Sequence, residues 1–309
     1  MTALTILIRK TCSRVLALAL IAAATVISPP STAGAEPAAA PGGASITGIE
    51  PVNDRWEKIS VFSPSMNKIV VNDVFKAPKS GAATFYLLHG IDGGDNLDPG
   101  VYFEPGSKSW FGMTDIQGFF ADKNVNIVSP LGGQFSWLTD WVADGSKQYQ
   151  TYMTKELPPL INKELKTNGR NAVGGLSSTG GTAIDYAVQA PGLYRAVGSY
   201  SGFPAPSDPD AAQQVSLTLG GPLWNAHDPS KNVTKLKGAG VYAAASSGAQ
   251  GDVDRLAPGT ANFTGGLIER IVSANTLKFA DAAAAPSDQQ QPQASTCGEH
   301  ERERIAPAR

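Results

Sequence analysis

From about residue 50 onward the chain alternates short apolar runs with longer segments in which apolar residues recur every three or four positions. Lys68–Phe75, Ala83–Leu88, Val125–Val128, Asn171–Gly174, Ala196–Ser201 and Gly240–Ala245 have the length and apolar content of strands. Several are apolar throughout, which predicts strands covered on both faces and therefore a mostly parallel sheet. Between them, Thr154–Lys166 sets Leu157, Leu160, Ile161 and Leu165 on one side of a predicted helix. Thr182–Gln189 predicts a second helix, small and apolar enough to lie close against a sheet. Pro158 and Pro159 require that the first helix begin or bend there, because proline is harmless only in an opening turn. Gly266–Ala280 places Ile268, Ile271, Val272 and Phe279 together at helical spacing. No internal repeat interrupts the series. Such alternation predicts a doubly wound α/β domain with helices on both faces of the sheet.

The N-terminal segment breaks this rhythm. Arg9, Lys10 and Arg14 flank the largely apolar run Val15–Ile27, and Ala33-Gly34-Ala35 supplies small residues before Glu36, the pattern of an export signal cleaved after Ala35. The apolar run is too short to span a hydrocarbon core, which needs about 20 residues. Residues 1–35 are therefore expected to be a signal peptide and 36–51 an Ala-, Pro- and Gly-rich leader, with the domain at 52–285. The expected destination is outside the cell or in its envelope, without a transmembrane anchor after cleavage. Of the two cysteines, Cys12 lies inside the signal, so Cys297 has no internal disulfide partner in the exported chain. Stability falls to the apolar core.

Charge narrows the partners. With 25 Lys and Arg against 27 Asp and Glu, the formal net charge is −2, and no long-range field draws the chain to nucleic acid or an anionic membrane. The three histidines are far apart in sequence, with no H-E-x-x-H or C-x-x-C pair, so neither a metal nor another cofactor is expected.

The chemistry concentrates at Gly174-Gly175-Leu176-Ser177-Ser178-Thr179-Gly180, between a predicted strand and a predicted helix. A nucleophile elbow sits in that setting, forcing its serine into an exposed, strained turn. Gly175-Leu176-Ser177 fits the first three positions of G-x-S-x-G, whereas Thr179 departs from the small residue wanted at the fifth. A serine nucleophile needs an oxyanion hole, built from the amide of the next residue and a second amide from a loop after an earlier strand. Leu87-Leu88-His89-Gly90-Ile91-Asp92-Gly93-Gly94 is such a loop. It lacks the Walker pattern, which argues against phosphate binding. His89 reads as a residue that orders this loop and not as the catalytic base.

Several motifs in order give the chain a family likeness: Ser63-Pro64-Ser65-Met66, Leu87-Leu88-His89-Gly90, Trp110 with Thr114-Asp115, Gly132-Gly133-Gln134-Phe135-Ser136-Trp137 with Asp140-Trp141, the elbow, and Pro191-Gly192-Leu193-Tyr194 before Tyr200-Ser201-Gly202. Together these resemble the secreted mycolyltransferases, the antigen 85 type of esterase in the α/β-hydrolase superfamily, from about Val52 to about Ala280. The resemblance implies an acyltransferase that moves a mycolyl group from one trehalose ester, through an acyl-serine, to a second trehalose or to cell-wall polysaccharide. It implies Ser177 as nucleophile and the amides of Ile91 and Ser178 as oxyanion hole. His89, Asp92, Trp110, Trp137 and Trp141 become candidates for the acyl and sugar surface. The family's sugar-contacting loop often carries an acid at the position of His89 and a basic residue at that of Asp92.

The triad of this fold runs serine, acid, histidine along the chain. Asp254, in Ser246–Asp254, matches the family's acid loop best, and Asp252 is the alternative. The family's Gly-x-His-Ser-Trp segment, which supplies the histidine, has no counterpart. After Ala285 the chain becomes polar and without apolar periodicity over residues 286–309, and His300 is the sole histidine in the right order for a base. Two other readings therefore stay open: an inactive, secreted glycolipid-binding protein, and a simple carboxylesterase.

Overall fold

The computed structural model describes residues 5–6, 43–91, 109–142, 144–207, 223–249 and 260–285. Among these residues nine strands form one sheet: β1 (Thr5–Ile6), β2 (Ser45–Pro51), β3 (Trp56–Ser63), β4 (Lys68–Phe75), β5 (Ala83–Leu88), β6 (Val125–Pro130), β7 (Asn171–Leu176), β8 (Tyr194–Tyr200) and β9 (Gly240–Ala244). Their spatial order is β1-β9-β8-β7-β5-β6-β4-β3-β2. From β1 to β6 all pairs are parallel, and β4, β3 and β2 extend the sheet antiparallel. This is an α/β-hydrolase fold, a doubly wound and mostly parallel sheet.

Six of the strands lie where the apolar runs predict them, within one or two residues. β2 and β3 are additional. β3 buries Glu57, Ile59, Val61 and Ser63 in strict alternation with partly exposed Trp56, Lys58, Ser60 and Phe62, the signature of an antiparallel strand with one face toward the core. Two of its inward residues are polar, which hides the pattern in the sequence. β2 corrects the expected leader at 36–51: Ser45–Pro51 pairs along β3 as an edge strand, held by ladder hydrogen bonds with little burial of its own. β1 falls inside the expected signal segment and pairs in parallel with β9 through Thr5 and Ile6.

Adjacent side chains of β5 enter different cores. Tyr86 and Leu88 join the large cluster containing Tyr152, Leu157, Ile161, Val173, Ile184 and Tyr186. Phe85 and Leu87 pack on the other face, with Phe75, Phe111, Ile116 and Ile127. A strand buried on both faces reads as continuously apolar, as β5 does. The second face is covered by two short helices, α1 (Trp110–Met113) and α2 (Ile116–Phe119), capped by Ser109 and Asp115, whose side chains accept from the Gly112 and Gly118 amides.

The helix carrying Pro158 and Pro159 begins earlier than its apolar spacing indicates. It runs as α3 (Tyr149–Thr151), a π-helical turn (Tyr152–Glu156) and α4 (Leu157–Glu164). Neither proline can donate a main-chain hydrogen bond, and each ring would press on the carbonyl four residues back. A wider turn just before them relieves this conflict. α5 (Gly180–Gln189) crosses the large core, α6 (Leu223–Ala226) is a single turn, and α7 (Thr260–Ala284) is the last of the described helices, containing the predicted Gly266–Ala280 stripe.

Candidate active site

β7 delivers the chain to Ser177 and α5 carries it away. Leu176 is extended, with φ −107° and ψ 134°, and Ser177 turns at once to φ +57°. A non-glycine residue in the left-handed region costs on the order of 1–3 kcal/mol and persists only where its surroundings fix it. Gly175 does part of that fixing, because a Cβ there would lie 2.0 Å from the Thr179 carbonyl oxygen. The chain can fold back so tightly only over a residue without a side chain.

Beyond the turn, Gly180 and Gly181 press against the chain leaving β8. A Cβ on Gly180 would stand 2.7 Å from Gly202 Cα, and one on Gly181 would stand 2.1 Å from the Phe203 carbonyl oxygen. The close approach expected of a small fifth residue is thus made by the next two positions. Thr179 is free for another task. Its buried hydroxyl donates to the His89 carbonyl at 2.7 Å, with the Leu176 carbonyl at 3.1 Å as a second acceptor, and accepts from the Leu176 amide at 3.2 Å. The elbow is thereby tied to the loop that follows β5.

That loop is ordered by the His89 ring, which is only 3% exposed. Nδ1 lies 2.7 Å from the Gly90 carbonyl oxygen, and the Gly132 amide donates to Nε2 at 3.2 Å. Both ring nitrogens thus meet main-chain groups of the two loops. The imidazole orders the loop.

Ile91 is clasped from the other side. Its carbonyl accepts from the Phe135 amide at 2.7 Å, and its side chain packs with Trp137 and Trp141. The segment that reaches it is strained: Gly133, Phe135, Trp137 and Leu138 all have positive φ. Its carbonyls are held by α5, where Thr182 Oγ1 donates to Trp137 O at 3.0 Å and the Tyr186 hydroxyl donates to Leu138 O. Trp141 Nε1 donates to Ser136 O at 2.9 Å. A closed circuit results, from the elbow through α5 to the tryptophan loop, on to Ile91 and His89, and back through Thr179.

Trp137 and Trp141 therefore gather around Ile91, whereas Trp110 does not. Trp110 packs on the second core beside Phe111 and Leu87 and donates to the Leu88 carbonyl at 3.0 Å. It supports the end of β5 from the face of the sheet that α1 and α2 cover. Ser178 follows Ser177 into the first turn of the helix, where main-chain N–H groups lack intrahelical partners. It is 5% exposed, and its buried hydroxyl has no hydrogen-bond partner among the described residues. Asp92, Asp252, Asp254 and His300 lie outside the described residues.

Where β8 and β9 end, Glu269 of α7 is buried and accepts from the Ser246 amide at 3.0 Å and the Ser201 hydroxyl at 3.2 Å. Burial raises its carboxyl above the ordinary range, and the two hydrogen bonds offset this only in part. Sequence reasoning missed Thr179, Thr182, Tyr186 and Glu269. The only written sign of the first three was the Gly180-Gly181 pair, which announces that the helix starts in close contact. Among the described residues no group of three His, Cys, Asp or Glu side chains could hold a metal, and no helix is long and apolar enough to cross a membrane.

The fold is that of an α/β-hydrolase, with Ser177 strained at the turn from β7 to α5. The family described as "Putative esterase" matches residues 62–261. The chain is 26% identical over 251 residues to the diacylglycerol acyltransferase/mycolyltransferase Ag85A of Mycobacterium leprae, covering 73% of this chain and 71% of that protein. It is equally 26% identical, over 232 residues, to Ag85B of Mycobacterium avium, covering 67% of this chain and 66% of the relative. In three dimensions it resembles MPT51 (FbpC1) of Mycobacterium tuberculosis, with a TM-score of 0.59 and 24% identity over 75% of this chain and 85% of that one. An S-formylglutathione hydrolase of Agrobacterium tumefaciens shares the fold at a TM-score of 0.50, with 14% identity over 76% of this chain and 99% of that one. The chain belongs to this esterase family and is of its antigen 85 type.

Proposed function

We propose that the protein is an exported serine acyltransferase that carries a long-chain acyl group from a trehalose ester or related glycolipid, through an ester on Ser177, to a second sugar hydroxyl. The observation that carries this reading is the left-handed backbone of Ser177, tied through Thr179 to the loop bearing Ile91.

Ser177 Oγ attacks the ester carbonyl as its proton leaves to a base. The carbonyl oxygen takes up negative charge, which the amides of Ile91 and Ser178 receive. Collapse expels the donor's sugar alkoxide, which takes the proton, and leaves the acyl group on Ser177. An acceptor hydroxyl, of trehalose or of cell-wall polysaccharide, repeats the sequence in reverse and frees the serine. Trp137 and Trp141, packed around Ile91, form the wall beside the acyl carbonyl. Asp254 or Asp252 and His300 are the in-order acid and base.

A fluorophosphonate tests the nucleophile. Stoichiometric labelling of the wild-type protein at Ser177, lost in Ser177→Ala, is the expected result, and an unlabelled wild-type protein would refute the reading. Transfer is then separated from simple ester hydrolysis by whether labelled acyl groups from a synthetic ester appear on added trehalose or only as free acid.

One sequence feature favours a second reading, an inactive glycolipid-binding relative: the chain carries no Gly-x-His-Ser-Trp segment after the acid loop. A serine without a positioned base loses most of its nucleophilic advantage. That reading requires trehalose glycolipid binding without fluorophosphonate labelling.

A further inference from the structure

We infer that His89 is a positioning residue for the oxyanion hole, holding the Gly90–Ile91 peptide through a single neutral tautomer. The inference rests on the acyl-serine reading above for its catalytic consequence, although its structural part stands separately.

The tautomer follows from the partners. A carbonyl oxygen only accepts, so Nδ1, at 2.7 Å from Gly90 O, carries the proton. A main-chain amide only donates, so Nε2, which receives the Gly132 N–H at 3.2 Å, carries the lone pair. Imidazolium satisfies the first contact and destroys the second, and the other neutral tautomer destroys both. The ring is buried, so water does not readily replace either partner.

Two constraints then meet on one peptide plane. The His89 ring draws the Gly90 carbonyl inward, and in a trans peptide the Ile91 N–H must leave on the opposite side. The next carbonyl, of Ile91, is fixed by the Phe135 amide at 2.7 Å. Meanwhile the main-chain carbonyl of His89 is held by Thr179, two residues beyond Ser177. The same residue thus registers the loop against the elbow through its backbone and sets the direction of the Ile91 amide through its ring. An amide donor aimed in advance at the developing oxyanion acts chiefly on the transition state. A side chain that only stabilised the loop would shift the unfolding midpoint and leave kcat of the folded enzyme intact.

Two substitutions separate these roles. In His89→Asn the amide nitrogen stands near the place of Nδ1 and can still donate to Gly90 O, whereas in His89→Gln the side-chain oxygen reaches toward the Gly132 amide and the Gly90 contact is lost. For hydrolysis of a p-nitrophenyl ester, His89→Gln is expected to lower kcat by about 10²-fold with KM little changed. His89→Asn should fall far less. Equal losses in both variants, or losses that follow their unfolding midpoints, would overturn the positioning role. The tautomer is read independently of activity from ¹⁵N chemical shifts of the wild-type protein, assigned through the signals missing in His89→Asn. A protonated-type Nδ1 with a pyridine-type Nε2 supports the inference, and the opposite pattern overturns it. If the wild-type protein fails to label with fluorophosphonate, the acyl-serine reading fails, while the shifts still decide the hydrogen-bonding pattern of His89.

Discussion

The hydroxyl of Thr179 donates to the main-chain carbonyl of His89 at 2.7 Å, joining residues 90 positions apart in the chain. One of them follows the candidate nucleophile by two residues, and the other precedes the candidate oxyanion donor Ile91 by two. The contact fixes the distance between the two halves of the proposed site, and its removal should register in both stability and reactivity.

Thr179→Val keeps the shape and removes the hydroxyl, leaving the His89 carbonyl and the Leu176 amide without this partner. A loss of about 1–3 kcal/mol is expected from unsatisfied buried polar groups, read from urea unfolding. The rate of fluorophosphonate labelling should fall as well. Thr179→Ser, which keeps the hydroxyl, should recover most of that rate.

Glycines divide into those that admit a neighbour and those that only need a positive φ. Gly181→Ala places a Cβ 2.1 Å from the Phe203 carbonyl oxygen, where only backbone can yield, and should leave little soluble protein. Gly192→Ala meets nothing within 4 Å at φ +86°, and should cost only about 1 kcal/mol of backbone strain. Soluble yield and thermal midpoints of the two variants check the contrast.

Asp228 is fully buried and accepts from the amides and hydroxyls of both Ser207 and Ser230. It pins the segment after β8 to the short helical turn Pro229–Lys231. Asp228→Ala strips all four donors of their acceptor, and a destabilisation of about 3–5 kcal/mol is expected, since bonds to a charged group contribute about 1.5–3 kcal/mol each and do not add fully. Chemical denaturation measures it.

Buried Asp185 and partly buried His227 form a pair, with Nδ1 2.8 Å from Oδ2. The hydrogen bond to Asp185 raises the imidazole above its ordinary 6.5, although burial works against it. Asp185 is raised too, because loss of solvent outweighs its bond to His227. A basic group raised on folding stabilises fully below its unfolded value and loses that contribution as pH climbs through the folded one. The raised carboxyl has the same sign at lower pH. The urea midpoint of the wild-type protein should therefore decline as pH rises from about 6.5, and His227→Gln should flatten the decline over that window.

The legible part of this chain was the part whose environment is uniform. β5 and β7 lie within the sheet, and their runs of apolar and small residues announced them. β3 stayed hidden because buried Glu57 and Ser63 occupy two of its four inward positions, so its alternation does not read as apolar against polar. β2 stayed hidden because edge pairing asks little of side chains. At the site, Gly175-Leu176-Ser177 marked the elbow, since strain and close approach are written in glycine. Thr179 read as a mismatch because the motif counts residue size at one position, whereas the fold satisfied the same demand at Gly180 and Gly181. The place of Trp110 was not legible, because an aromatic residue serves a core and a binding wall equally well.

The circuit that runs from His89 through Ile91, Phe135, Trp137 and Thr182 to Thr179 closes on itself before residue 190. Among the described residues it draws on none beyond Thr182. The support of the candidate oxyanion loop is thus a self-contained cassette, each contact of which is braced by the others.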